Sequence, residues 1–198
     1  MNLPKRIFFT GVPGSRWSGI AEVLESIPGF NTSDRIPSRV FLNRGSAWHK
    51  GAYFGDGMEF SACLDADYID QAWVESGGTR LIKSHDWAYN LNLISPKFPD
   101  DWIMLVYRPD LISYAWWHEA GGFKIEYPNY QAYRDSHGMM AEIIKQNAAI
   151  LEYGASIDAK WSYFTPNWIE ETFGNRVSIS RIQTDILVTV IKPDIFLK

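Results

Sequence analysis

The feature that most constrains this chain is a short apolar run that ends in a glycine- and proline-bearing turn and passes straight into a helical repeat. Arg6-Ile7-Phe8-Phe9-Thr10 is apolar between its ends, which predicts a buried strand. It enters Gly11-Val12-Pro13-Gly14-Ser15, a combination that predicts a turn. Trp17, Ile20, Ala21, Leu24 and Ile27 then recur at the three-and-four spacing of one helical face, and Pro28-Gly29 ends the pattern. A turn that opens a helix points backbone N–H groups and the positive helix end at one place, which makes it a candidate anion cradle.

The rest of the chain repeats the strand-then-helix order. Arg80-Leu81-Ile82-Lys83 reads as a second short strand ending at Ser84-His85-Asp86, and Trp102 to Tyr107 as a third, apolar throughout, ending at Arg108-Pro109-Asp110. Leu187 to Ile191 is a further strand. Helices are expected from Asp65 to Glu75, from Asp110 onward, through Met140, Ile143, Ile144, Asn147, Ala148 and Leu151, and from Thr165-Pro166 to Phe173-Gly174. Strands alternating with helices predict an α/β fold with a three-layer arrangement, a parallel sheet covered by helices on both faces, in which ligands gather at the carboxyl ends of the strands. Phe30 to Phe60 has no sustained period and reads as an irregular excursion carrying Arg35, Arg39, Arg44 and Lys50. With 198 residues, 46% of them hydrophobic, and no internal repeat or linker, a single domain over 1–198 is expected.

Composition removes several function classes. One cysteine, Cys63, excludes an intrachain disulfide, and the histidines at 49, 85, 118 and 137 never fall at metal-ligand spacing, so no metal is expected. A formal net charge of -4 argues against nucleic acid or an anionic membrane surface as the main partner. No apolar run approaches the roughly 18 residues of a membrane span, and Met1 to Arg6 runs into a strand-like stretch rather than a signal-peptide core. The chain is therefore expected to be soluble and cytoplasmic.

Against the nucleotide-triphosphatase pattern GxxxxGK[ST], Gly11 and Ser18 match, whereas Arg16 stands for the second glycine and Trp17 for the lysine. ATP hydrolysis would lack its main cation, although Arg16 adds one beside the loop amides. The alternative for this segment alone is a tight turn with no ligand, Ser15 and Ser18 acting as helix caps.

GVPGSRWSGI after a strand resembles the 5'-phosphosulfate loop of sulfotransferases that use 3'-phosphoadenosine 5'-phosphosulfate (PAPS) as donor. LIKSH is similar to that family's KTH segment, and LVYRPDLIS to its arginine-to-serine 3'-phosphate segment. Together the three, in the right order, span about half the chain. The resemblance implies a P-loop NTPase-like sulfotransferase fold and transfer of a sulfuryl group to a hydroxyl or amine on a small-molecule, carbohydrate or lipid acceptor. It also implies that Ser15 and Ser18, with the backbone from Gly14 through Arg16 to Trp17, hold the 5'-phosphosulfate, and that Arg108 and Ser113 hold the 3'-phosphate. By the same resemblance His85 is the base, and Lys83 lies near the transferring group. Three departures stand out: Gly14 occupies the loop position usually filled by lysine or arginine, Arg108 and Ser113 are five rather than eight residues apart, and the C-terminal basic, glycine-rich loop is missing, leaving Arg176 or Arg181 to substitute. Two rivals remain: a P-loop nucleotide or small-molecule kinase, and a non-catalytic nucleotide-binding protein of the same fold. Trp48, Trp116 and Trp117 are candidates to stack on a base or acceptor, with at least one of the adjacent pair belonging to the core.

Overall fold

In the computed structural model, the described residues are 2–33, 40–41, 52–53, 62–124, 132, 134–179 and 184–193. Strand β1 (Arg6–Gly11) is buried along its whole length and pairs in parallel with β4 (Arg80–Lys83) on one side and β5 (Trp102–Tyr107) on the other. A fourth strand, β7 (Leu187–Ile191), joins β5, and the short β6 (Ser162–Tyr163) joins β7, giving the order β4-β1-β5-β7-β6. Val40–Phe41 (β2) and Ala52–Tyr53 (β3) form a separate two-stranded antiparallel pair. The rest of the excursion from Phe30 to Phe60, including Arg35, Arg39, Arg44, Trp48 and Lys50, lies outside the described residues from position 34 onward.

The apolar character of β1 and β5 follows from burial on both faces. Ile7, Phe9, Met104 and Val106 meet α1 (Trp17–Glu25) and α6 (Pro166–Phe173) through Trp17, Ile20, Leu24, Ile169 and Phe173. The alternate residues Phe8, Ile103 and Leu105 pack on the other side against α3 (Leu91–Lys97), α4 (Asp110–Glu119) and α5 (Ser136–Ser156), through Leu91, Ile94, Trp117, Met139, Ile143 and Ile150. The period of two along each strand thus feeds two cores separated by one sheet.

Helix ends fall where the capping chemistry puts them. Thr165 Oγ1 accepts the Trp168 amide at 3.2 Å, Pro166 fills the first turn of α6, and Gly174 closes it at φ +74. Asp135 accepts the Gly138 amide at 2.7 Å and starts α5 four residues before Met140. Helix α2 (Ala66–Asp70) is shorter than the expected 65–75. Its continuation is pulled away by tertiary bonds, because the Val74 amide donates to Ser33 O and the Asn31 side chain donates to the carbonyls of Glu75 and Gly77.

The expected parallel sheet holds for β4, β1 and β5 and fails at β7, which runs antiparallel to β5 and to β6. Hydrophobic spacing reports which residues face the core but carries no information on strand direction. β7 begins at the carboxyl edge of β5, with Leu187 opposite Tyr107, and ends at Ile191 opposite Ile103.

Candidate functional site: an anion cradle at the carboxyl edge

Because β4, β1 and β5 are adjacent and parallel, the segments that follow them meet at one edge. Behind β1, the Ser15 amide donates to Val12 O at 3.0 Å, closing a tight turn. Gly14 and Arg16 then both take the left-handed conformation, at φ +79 and φ +67. Arg16 sits at the position of the second glycine of GxxxxGK[ST], and a non-glycine residue must carry about 1–2 kcal/mol of strain to adopt this conformation. Helix α1 begins immediately afterwards and no side chain caps it, so its first-turn amides face the turn.

Gly14 is required by its neighbour. A Cβ there would lie 1.8 Å from the carbonyl oxygen of Ser113 and 2.9 Å from the amide nitrogen of Trp117. The backbone of α4 therefore passes directly over the position where the resembling loops carry a cation. Ser15 is fully buried and its Oγ has no hydrogen-bond partner among the described residues, a polar group left unsatisfied at the foot of the turn. Ser18 is exposed on the first turn of α1. Trp17 turns its ring inward, stacking on Phe9 at 5.7 Å and lying 4.0 Å from the His85 ring, so this residue offers only its backbone to the cradle.

Behind β5, Arg108 is 6% exposed and closely held. Its Nη1 donates to Gly14 O at 3.1 Å, and its Nε and Nη2 reach Asp185 Oδ2 at 2.8 and 2.6 Å. The Arg108 carbonyl accepts from Ser113 Oγ at 3.2 Å and from Asn147 Nδ2 at 2.9 Å. The fully buried Ser113 hydroxyl thus faces the turn between β5 and α4, and its partner is backbone. Trp116 collects both cations: the guanidinium carbons of Arg16 and Arg108 lie 4.2 and 5.5 Å from its ring centroid. Of the adjacent tryptophans, Trp117 is the core residue.

Behind β4, Ser84 caps a short 3-10 helix (His85–Tyr89) by accepting the Asp86 amide at 3.1 Å. His85 is 3% exposed, and its Nδ1 is hydrogen-bonded to the carbonyl of Gly11. A carbonyl only accepts, so Nδ1 carries the proton and Nε2 is the basic nitrogen of the neutral ring. Lys83 pairs in register with Phe9, on the α1 side of the sheet, and its Nζ lies 3.6 Å from Glu25 Oε1 at the far end of that helix. The structure thus brings Gly14, Ser15, Arg16, the Trp17 backbone, Ser18, Arg108 and His85 to one edge, while Lys83 extends toward the other end of α1 and Ser113 is turned inward.

Sequence reasoning missed Asp185, Asn147 and Asp86. Asp86 follows His85, and its carboxyl is pushed up to about 6 by burial and by the charge of Glu142. Glu142 is itself fixed by Tyr89 Oη at 2.7 Å and Gln146 Nε2 at 3.0 Å, and burial with that contact raises the Tyr89 phenol. The only local signal for Asp86 was its place at a strand end. Asp185 and Asn147 gave none, because their partners lie 77 and 39 residues away.

Among the described residues no three His, Cys, Asp or Glu side chains are grouped to hold a metal, and no helix is long and apolar enough to cross a membrane. No family model matches the chain, and no curated protein or solved structure matches it.

Proposed function

We propose that the carboxyl edge binds the phosphate groups of a nucleotide and that the protein is a sulfotransferase using PAPS as donor, acting on a hydroxyl or amine acceptor. The observation that carries the reading is the uncapped start of α1 behind two left-handed residues, one of them an arginine held in a strained conformation. Strain of this kind persists where the surroundings enforce it, and such positions cluster at ligand clamps. The donor set suits a sulfated or phosphorylated group: first-turn amides, the buried Ser15 hydroxyl, exposed Ser18 and the two arginines over Trp116. In this scheme the α1 amides with Ser15, Arg16 and Ser18 hold the 5'-phosphosulfate, and Arg108 selects the 3'-phosphate. His85 Nε2 takes the acceptor proton, and PAPS supplies the sulfuryl group.

Calorimetric titration with adenosine 3',5'-bisphosphate beside 5'-AMP and ATP tests it. The expected result is a preference for the bisphosphate of about tenfold or more that disappears in Arg108→Ala, because a charge-assisted pair to the 3'-phosphate is worth about 1.5–3 kcal/mol. Equal affinities for the bisphosphate and 5'-AMP, or a preference for ATP, would overturn it.

A second reading, a nucleotide-binding protein without turnover, is favoured by the burial of His85 beneath Trp17 and by the engagement of Lys83 with Glu25. Bisphosphate binding with no sulfated product across hydroxyl and amine acceptors selects it over the enzyme.

A further inference from the structure

We propose that Asp185 is a displaceable stand-in for an anionic ligand at Arg108, and that it thereby decides which anions this edge accepts. The proposal rests on the reading of this edge as an anion site, though not on the identity of the nucleotide.

Three features of the pair carry it. Both contacts from the guanidinium, Nε at 2.8 Å and Nη2 at 2.6 Å, converge on a single oxygen, Oδ2. A phosphate or phosphosulfate can offer one oxygen to each nitrogen, the fork geometry that makes arginine–phosphate pairs strong and directional. The two partners are also unequally held. The Arg108 side chain is 8% exposed and is fixed by Gly14 O and the Trp116 ring, whereas Asp185 keeps 30% exposure. Exchange therefore releases a carboxylate into water while the cation stays in place. Finally, a guanidinium buried to this degree needs a counter-charge in the empty state, and Asp185 supplies it from the residue pair just before β7. The antiparallel course of β7 is what brings it there; in a parallel β7 the same residue would enter at the opposite edge.

The expected selectivity follows. A group with one negative charge and one reachable oxygen gains nothing over Asp185, while a dianion with two oxygens displaces it. Arg16, on the same indole, adds a second cation for the incoming group.

The test is titration of wild type and Asp185→Asn with inorganic pyrophosphate, acetate, adenosine 3',5'-bisphosphate and 5'-AMP at low ionic strength. Asparagine keeps the shape and removes the charge, so pyrophosphate affinity is expected to rise about tenfold, and acetate is expected to bind only the variant. The gain should vanish in Arg108→Ala/Asp185→Asn. On the wild-type protein, the Nε–H resonance of Arg108 in a 15N spectrum should move on saturation with pyrophosphate, a readout that needs no variant to fold. No gain in Asp185→Asn, no anion binding by either protein, or an unmoved resonance with pyrophosphate bound would overturn the proposal. A pyrophosphate gain without any preference for the bisphosphate would leave Asp185 in this role and remove the nucleotide reading; a wild-type bisphosphate preference with no gain in the variant would do the reverse.

Discussion

The two edges of the sheet each gather arginine and aspartate, and they do it in opposite ways. At the amino edge, Arg6 donates through Nε and Nη2 to Asp70 and through Nη1 to Asp101, and its backbone amide adds a bond to Asp101 Oδ1 at 3.0 Å. Lys5 and Arg80 also reach Asp70, at 2.5 and 2.9 Å. Three cations and two carboxylates tie β1, α2, β4 and the start of β5 together. At the carboxyl edge, Arg108 has one aspartate through one oxygen, α1 is uncapped, Ser15 Oγ is unsatisfied, and Asp86 sits in the field of Glu142. The acidities divide by partners rather than by edge, since burial raises Asp101 at the amino edge despite its bonds to Arg6. Burial would raise Asp70, yet hydrogen bonds and charge from Arg6 and Lys5 outweigh it and hold the carboxyl below its usual range; Asp86 is raised by burial and a like charge. At one edge each aspartate is held by at least one cation, and the cluster serves as a staple. The other keeps the Ser15 hydroxyl without a partner among the described residues, and two left-handed residues ahead of α1.

The largest effect should come from breaking the amino-edge cluster. Arg6→Ala leaves Asp101 and Asp70 facing each other in a mostly buried setting, and a loss of about 3 kcal/mol in denaturant-induced unfolding is expected. A loss under about 1 kcal/mol would mean that the amino edge is no more of a staple than an exposed ion pair.

Asp86→Asn should move stability the other way, by about 1 kcal/mol at pH 7, the shift being discounted for partial exposure. Between about pH 4 and pH 6 the folded chain keeps a proton on Asp86 that the unfolded chain has lost. Wild-type stability therefore falls relative to the variant as pH rises through that window, and the difference is constant above it. Thermal melts at intervals from pH 4 to 8 read this directly, and a pH-independent difference would remove the like-charge account.

Arg16→Gly should give the smallest change in stability, within about 0.5 kcal/mol, because relief of the left-handed conformation offsets the lost stacking on Trp116. Anion affinity should nonetheless drop about tenfold. A variant that kept full affinity would place the cradle in the backbone alone.

Much of the carboxyl edge was legible from residue order. The turn from Gly11 to Ser18, the strand before it and the helix after it are local patterns, set by hydrophobic spacing and by residues that tolerate or end particular backbone conformations. Arg108 and His85 were placed at the correct edge because each follows a strand that an apolar run made recognisable. The direction of Lys83, the last residue of β4, left no local signal, because the side a β residue faces depends on its register with Phe9. The role expected of Ser113 likewise depended on which way the first turn of α4 faces, and the packing of Gly14 beneath that helix decides it.

The sequence by itself determined the strand–turn–helix entry, the two-faced apolar character of β1 and β5, and the capped limits of α6. All of these follow from interactions within a few residues along the chain. Only the tertiary structure decided that β7 runs antiparallel, that Asp185 thereby closes on Arg108, and that Asp86 shares a pocket of charge with Glu142. These depend on groups between 56 and 77 residues apart, whose meeting is fixed by the packing of whole elements and leaves no pattern in local order.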